Sequence, residues 1–227
     1  VRSFPRTSRG GGIAVVYKDV FSPHISFTSL FKFSHESFEL CCTKLTLPQR
    51  CLHFFCIYRP PPSRKNKLSD SLFLEQLPDL LELVNSLSDD VVLLGDFNFH
   101  FDRPSHPSTS KLLDLLYMFN LTQVIDSPTH SHGHTLDWII VRTDSTYPTS
   151  TAVSDMLASD HYCVLGSLDV KRPRLPQVLR KVRNMLLLAS ARCLPANPRH
   201  GMAPWPLTSV LLSRNAVRLR DSGENQG

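Results

Sequence analysis

The chain lacks several things, and each absence narrows what it can be. Nowhere in its 227 residues does an apolar run approach 18 in length, so no membrane-spanning helix is expected. It opens Val1-Arg-Ser-Phe4 rather than with Met, and no apolar stretch of signal-peptide type follows. No secretory signal is therefore expected, and the sequence reads as a fragment. No Cys-x-x-Cys pair occurs among Cys41, Cys42, Cys51, Cys56, Cys163 and Cys193, most of which lie inside apolar runs. Reduced core thiols of an intracellular protein, nuclear or cytoplasmic, fit that pattern better than a disulfide framework. No internal repeat is present, which excludes solenoids and propellers. What remains is ordinary globular composition, 41% hydrophobic and 20% charged.

The net charge of +5 hides an asymmetry. Residues 171–227 hold eleven Lys/Arg against Asp221 and Glu224, and the remainder is net acidic. A folded domain over 1–170 and a basic, Pro-containing tail over 171–227 follow, the tail reading as a linker or partly disordered extension. Arg174 to Leu194 could form a basic, Leu-rich helix before Pro195, Pro198, Pro204 and Pro206 interrupt the chain. A basic tail suits contact with a polyanion such as nucleic acid, although solvated basic tails without any ligand are also common.

Along the chain, Gly10 to Lys18 reads as a glycine-led entry into a strand, and Ile25 to Phe33 and Ser37 to Leu47 alternate apolar with polar residues. Pro48-Gln-Arg50 is a hairpin turn and Cys51 to Tyr58 returns as a strand, which Arg59-Pro-Pro-Pro62 ends because proline donates nothing to a ladder. Leu72, Phe73, Leu77, Leu80, Leu81, Val84 and Leu87 recur at helical spacing behind Ser69 or Asp70 as N-cap, with Pro78 expected to bend or divide the helix. A second helix is expected over 111–120 and strands over 136–141 and 162–168, with a loop over 149–157. Strands alternating with helices after a strand-rich opening indicate an α/β domain with mixed sheets.

Asp89-Asp-Val-Val-Leu-Leu-Gly-Asp-Phe-Asn-Phe-His100 is the pivotal stretch. Val91 to Leu94 looks like a strand buried on both faces. Asp96 and Asn98 follow, and at strand spacing their side chains share a face, just past a strand end where open α/β sheets place chemistry. Gly, Asp and Asn equally suit a plain turn. Asp137, Asp160 and His161 also adjoin apolar runs, so a folded sheet would bring all of them to one rim. Carboxylates, an amide and a histidine together are the ingredients of metal-assisted phosphate-ester hydrolysis, with oxygen ligands suited to Mg²⁺ or, equally, Mn²⁺. Each has a simpler use: Asp137 and Asp160 as strand caps, His161 as a half-buried imidazole, Tyr58 as packing. His130, His132 and His134 form an H-x-H-x-H tract, but no second pair of Cys or His lies nearby in sequence, so a polar surface loop is expected rather than zinc.

Gly95-Asp-Phe-Asn98, Thr135-Leu-Asp-Trp-Ile-Ile140, Ser159-Asp-His161, Tyr58-Arg-Pro-Pro61 and the strand Gly11-Gly-Ile-Ala-Val-Val-Tyr17, in that family's order, resemble the endonuclease/exonuclease/phosphatase superfamily. The likeness is greatest to the apurinic-type endonuclease domains of non-LTR retrotransposons and covers roughly residues 10–170. It implies a two-sheet α/β sandwich with helices outside. It also implies roles. Asp96 orients or deprotonates the attacking water, Asn98 bonds water or phosphate, and Asp160 contributes to the metal site with Asp96. His161 contacts the phosphate with its ring held by Asp137, Tyr58 donates to the phosphate, and Thr129 is a further phosphate contact. The chain departs from the family at its start: the strand ending in Asn and the strand bearing the metal-binding Glu have no counterpart in Val1 to Gly12, and Glu36 and Glu39 come too late to occupy that position.

The resemblance implies a metal-dependent phosphodiesterase that nicks DNA, weakened by the missing segment, with DNA as partner and no small-molecule cofactor beyond the metal. The alternatives are an inactive remnant that binds nucleic acid through its tail, and a phosphatase of the same superfamily.

Overall fold

The computed structural model describes residues 1–4, 12–28, 35–154 and 159–170, with the backbone alone at 210–212 and 216–217. In chain order these form β1 (Arg2–Phe4), β2 (Ile13–Val16), a 3₁₀ turn at Asp19–His24, β3 (Ile25–Thr28), β4 (Glu39–Leu47), β5 (Arg50–Tyr58) and α1 (Asp70–Ser86). Then come β6 (Asp90–Asp96), α2 (Pro107–Met118), β7 (Leu121–Gln123), β8 (Asp137–Arg142), β9 (Ser150–Ser154) and β10 (Cys163–Ser167), with β11 (Val210–Leu212) and β12 (Ala216–Val217) beyond.

A six-stranded sheet in the order β3-β4-β5-β6-β8-β7 is the frame. Only β5 and β6 run parallel, joined through α1, and the other pairs are antiparallel. The period-2 pattern splits its side chains between two cores. Cys42, Phe55, Ile57, Val91, Leu93, Trp138 and Ile140 face the helices, packing with Phe73, Leu77, Leu80 and Leu81 of α1 and Leu112 and Leu116 of α2. Cys41, Cys56, Val92, Leu94, Ile139 and Val141 face the other way, onto Ile13 and Val15 of β2 and Val164 of β10. The second β layer consists of β2, paired with β1 and β11, and of the β9–β10 hairpin. The fold is an α/β sandwich of two β layers, with helices on the outer face of the larger.

Helix α1 starts where the Ser69 side chain accepts from the Leu72 N–H (3.1 Å), satisfying one orphan donor of the first turn. It runs through Pro78 as a single helix, so the proline does not divide it. Its stripe of Phe73, Leu77, Leu80, Leu81 and Val84 is wholly buried. At about 2 kcal/mol for each such side chain, that burial outweighs the roughly 3 kcal/mol a mid-helix proline costs. Beyond the last turn, the Arg142 guanidinium donates to the carbonyls of Val84 (3.1 Å) and Leu87 (2.6 Å), satisfying acceptors that the helix itself leaves open.

One further expectation needs correction. The loop expected over 149–157 contains strand β9, an exposed edge strand of polar sequence that carries no hydrophobic alternation. Gly95 is not in a turn but inside β6 at φ +139, where an added Cβ would sit 1.8 Å from the Ile57 carbonyl oxygen. Only glycine permits that approach. The tail, including the helix expected over 174–194, lies outside the described residues apart from the backbone of β11 and β12. Among the described residues no helix is long and apolar enough to cross a membrane.

Candidate active site

The face of the large sheet that packs on β2 and β10 ends in polar residues. Tyr58 is in register with Asp96 across β5 and β6, and Asp96 with Asp137 across β6 and β8. On the opposite side of Tyr58 the next residue in the row is Glu39 of β4. Cys56, Leu94 and Ile139 precede this row by one pleat on the same face, so the hydroxyl and carboxylates emerge where the inter-sheet core stops. Glu39, set aside on sequence order, thus belongs to the row through strand pairing.

Asp96 and Asn98 do come together, but not by strand spacing. Strand β6 ends at Asp96, and Asn98 has φ +50, a left-handed conformation that Asn tolerates better than most residues. The turn folds Asn98 back on the carboxylate: its N–H donates to Asp96 Oδ1 (3.0 Å) and its Nδ2 to Asp96 Oδ2 (3.0 Å) and to the Arg59 carbonyl (2.8 Å). Burial, and then the neighbouring Asp137 carboxylate, push the pKa of Asp96 up to about 7, against opposing contributions from His161 and the Asn98 hydrogen bonds.

His161 reaches the row from the start of the second layer. Its Nδ1 lies 2.9 Å from Oδ2 of Asp137, which is buried at 1% exposure. A carboxylate only accepts, so Nδ1 carries the proton and Nε2 is turned toward whatever enters the site. The hydrogen bond to Asp137 raises the pKa of His161, burial opposes, and Asp137, Asp96 and Asp160 add favourable charge.

Thr129 is placed differently from the expectation. It is fully buried, and its hydroxyl oxygen accepts the N–H groups of Leu136 and Asp137 (3.0 Å each). In this position it fixes the first residues of β8, and with them Asp137, rather than facing a phosphate. Asp160 is the most open of the acidic groups, its side chain 68% exposed. Ser159 Oγ donates to its Oδ1 (3.1 Å), which with its other hydrogen bonds holds it below the usual carboxylate range.

The histidine tract is no simple surface loop. A turn closed by Gly133 N–H to His130 O (2.9 Å) leaves only His132 of the three exposed. His130 is buried, stacks edge-on against His161 (4.8 Å between centroids), and sets its Nε2 3.3 Å from Asp160 Oδ2. Its Nδ1 accepts the His132 N–H (3.1 Å), so Nε2 is the protonated nitrogen that donates to Asp160. His134 points elsewhere, to Asp102. Spacing in sequence could not reveal this, because both partners come from other loops.

Arg59 was quoted only as part of a motif, yet it braces the site. At 2% exposure, its guanidinium donates to the carbonyls of Phe97 (3.2 Å) and Asn98 (3.1 Å), pairs with Asp70 at the start of α1, and lies over the Phe99 ring (4.2 Å). The loop that aims Asn98 is therefore tied to α1 through one buried cation.

Two sets of possible ligands share His161: Asp96 with Asp137, and His130 with Asp160. Opposed carboxylates on adjacent strands, one of them reluctant to ionise, form a place where a hard divalent cation relieves repulsion. Asp96 and Asp137 supply the oxygen donors of one set and Asp160 that of the other.

The sequence profile of the Endonuclease/Exonuclease/phosphatase family matches residues 2–161. The chain belongs to this family. The family is named for enzymes that cleave phosphodiester or phosphomonoester bonds, so hydrolysis is the chemistry its fold carries. Among solved structures, the chain is similar to a family protein from Leptotrichia buccalis C-1013-b, with 14% identity, TM-score 0.40, and 54% of this chain and 51% of that one covered. It is similar to D. rerio TDP2 complexed with a single-strand DNA product, with 15% identity, TM-score 0.41, and 62% and 67% covered. It is also similar to beta toxin from Staphylococcus aureus, with 17% identity, TM-score 0.38, and 60% and 59% covered. The chain thus spans about half to two thirds of the length of these structures. No curated protein matches it.

Proposed function

We propose that the chain carries a phosphodiesterase site that nicks DNA, of the retrotransposon endonuclease type, acting with Mg²⁺ or Mn²⁺ held by Asp96 and Asp160. The observation that supports this best is the row Tyr58, Asp96, Asp137, flanked by Asn98 on Asp96 and by His161 on Asp137. It sets a basic carboxylate, a hydroxyl donor and an oriented imidazole on one rim.

In this reading Asp96 takes the proton of the attacking water. In the metal-free protein its pKa of about 7 marks a carboxylate more basic than usual, which suits proton acceptance. Asn98 holds the Asp96 carboxylate with one amide hydrogen and the main-chain carbonyl of Arg59 with the other, so the base cannot rotate away. His161, whose pKa is raised first by its hydrogen bond to Asp137, donates in its protonated form from Nε2 to a phosphate oxygen as charge builds in the transition state. Tyr58 donates its hydroxyl beside Asp96. The cation, when bound, supplies positive charge to the phosphate oxygens and to the departing oxygen. DNA is the favoured substrate because Tyr58-Arg-Pro-Pro61 and Thr135-Leu-Asp-Trp-Ile-Ile140 resemble the retrotransposon branch.

The test is nicking of supercoiled plasmid by the full chain with Mg²⁺, beside Asp96→Ala and His161→Ala. Metal-dependent nicking lost in both variants is expected. Folded protein that leaves the plasmid intact, or variants that nick as well as the parent, would overturn the reading. Release of phosphate from a phosphomonoester with the plasmid untouched would assign the site to a phosphatase instead.

A further inference from the structure

We infer that His100, Asp102 and His134 form a second metal site, separate in its residues from the row at the sheet rim, that takes a borderline divalent cation of the Zn²⁺ class. One ligand atom from each of the three lies within 4.8 Å of the others. His134 Nδ1 is 3.0 Å from Asp102 Oδ2, His100 Nδ1 is 3.9 Å from Asp102 Oδ1, and the two imidazole rings meet edge-on at 4.2 Å. Two imidazoles and one carboxylate are a donor set that zinc accepts, whereas Mg²⁺ prefers oxygen throughout.

Three independent features prepare the cluster for an ion. First, His100 Nδ1 is a buried atom without a hydrogen-bond partner. Its separation from Asp102 is too long for one, and such a nitrogen is costly unless something coordinates it. Second, Asp102 Oδ1 accepts the Thr135 N–H (3.0 Å). A main-chain donor on a ligating carboxylate is the outer bond that orients metal ligands. Third, the two segments are also joined beside these side chains: the Phe101 N–H donates to the Thr135 carbonyl (3.1 Å), and the Phe101 ring packs inward on Trp138 (5.6 Å). His100 and Asp102, on either side of Phe101, are left facing His134. Arg103, its Nε 3.8 Å from Asp102 Oδ2, is the one opposing cation near this carboxylate among the described residues, and at 61% exposure it is free to swing out.

The consequence is mechanical. Residues 100 and 102 continue the loop that carries Asn98, and residue 134 closes the turn that carries Thr129 and His130. An ion here staples those two loops, which otherwise meet through few main-chain bonds, and water completes its coordination. The second half of the ligand set, absent from the neighbourhood of the histidine tract in sequence, is supplied from more than thirty residues upstream.

The experiment is titration of the full, chelator-stripped chain with Zn²⁺ by calorimetry, with Co²⁺ as the spectroscopic probe and the melting temperature as a third readout. Zn²⁺ binding with tetrahedral-type Co²⁺ absorption and a rise in melting temperature is expected in the parent, one equivalent of it assigned to this site by its loss in the variant below. His134→Gln should weaken this site by about tenfold or more, while Asp160→Ala leaves it in place. No Zn²⁺ bound by folded parent protein would overturn the inference. So would the same number of Zn²⁺ bound by His134→Gln as by the parent, or a loss of all Zn²⁺ binding in Asp160→Ala, which would assign the ion to the rim. Should His134→Gln fail to fold, His100→Gln, on the more exposed limb at 38%, is read in the same way.

Discussion

Asp96 and Asp137 stand directly opposite one another on adjacent antiparallel strands, in a row that ends one core of the protein. Burial, and then the facing Asp137 carboxylate, raise the pKa of Asp96 to about 7. Its folded pKa is above its unfolded value, so stability from the protonated form is fully present below about pH 4 and is lost as pH rises through about 7. Asp96→Asn should therefore stabilise the metal-free protein at pH 8 by something on the order of 2 kcal/mol, with the gain fading toward pH 4. Urea melts at the two pH values check this, and equal stability of parent and variant at pH 8 would contradict it.

The pH dependence of cleavage follows from the same neighbours. Activity should rise as Asp96 loses its proton and fall again as His161 loses its own. Since Asp137 is the largest influence raising His161, Asp137→Asn should move the alkaline limb of the kcat/KM profile to lower pH. A rate lost uniformly across the profile would show that Asp137 does not act through the imidazole.

His130 donates to Asp160 without reaching the row itself. His130→Ala should raise the Mg²⁺ concentration for half-maximal activity about 10- to 100-fold, the usual cost of losing an outer-shell partner. The rate at saturating metal should change much less. If the rate falls at saturation instead, His130 touches the reacting groups.

Arg59 is buried with three kinds of partner, so Arg59→Ala should cost about 3–5 kcal/mol by leaving Asp70 and two carbonyls unpaired. Arg59→Lys should restore only part of that stability, since one ammonium cannot span carbonyls and carboxylate as the planar guanidinium does. Chemical denaturation of both variants separates the cases, and full recovery by Lys would show that charge alone matters.

Gly95→Ala should destabilise the protein by about 3 kcal/mol or more, because the new methyl meets the Ile57 carbonyl in the middle of the sheet and the φ of +139 resists any side chain. Wild-type stability in urea would contradict the close approach of β5 and β6.

Much was legible in the sequence because periodicity reports burial. Alternation over 39–58 and the stripe of α1 gave the strands, the helix and their inward faces. Motif order placed Asp96, Asp137 and His161 at strand ends. Strand β9 was not legible, since an exposed edge has no apolar face to alternate, and the unbroken course of α1 past Pro78 was not, since packing rather than propensity decides it.

The sequence by itself determined the α/β alternation, the basic excess of residues 171–227, and the residue types gathered at the sheet rim. The tertiary structure decided which of these residues meet. Strand register, a long-range property, placed Glu39 beside Tyr58 and Asp96 opposite Asp137. A positive φ, not strand spacing, turned Asn98 onto Asp96. One tight turn sent His130 to Asp160 and His134 to Asp102. Local pattern records which face a side chain takes, because that depends on two backbone angles per residue. Its partner across the fold depends on how distant segments pack, which no short stretch of sequence contains.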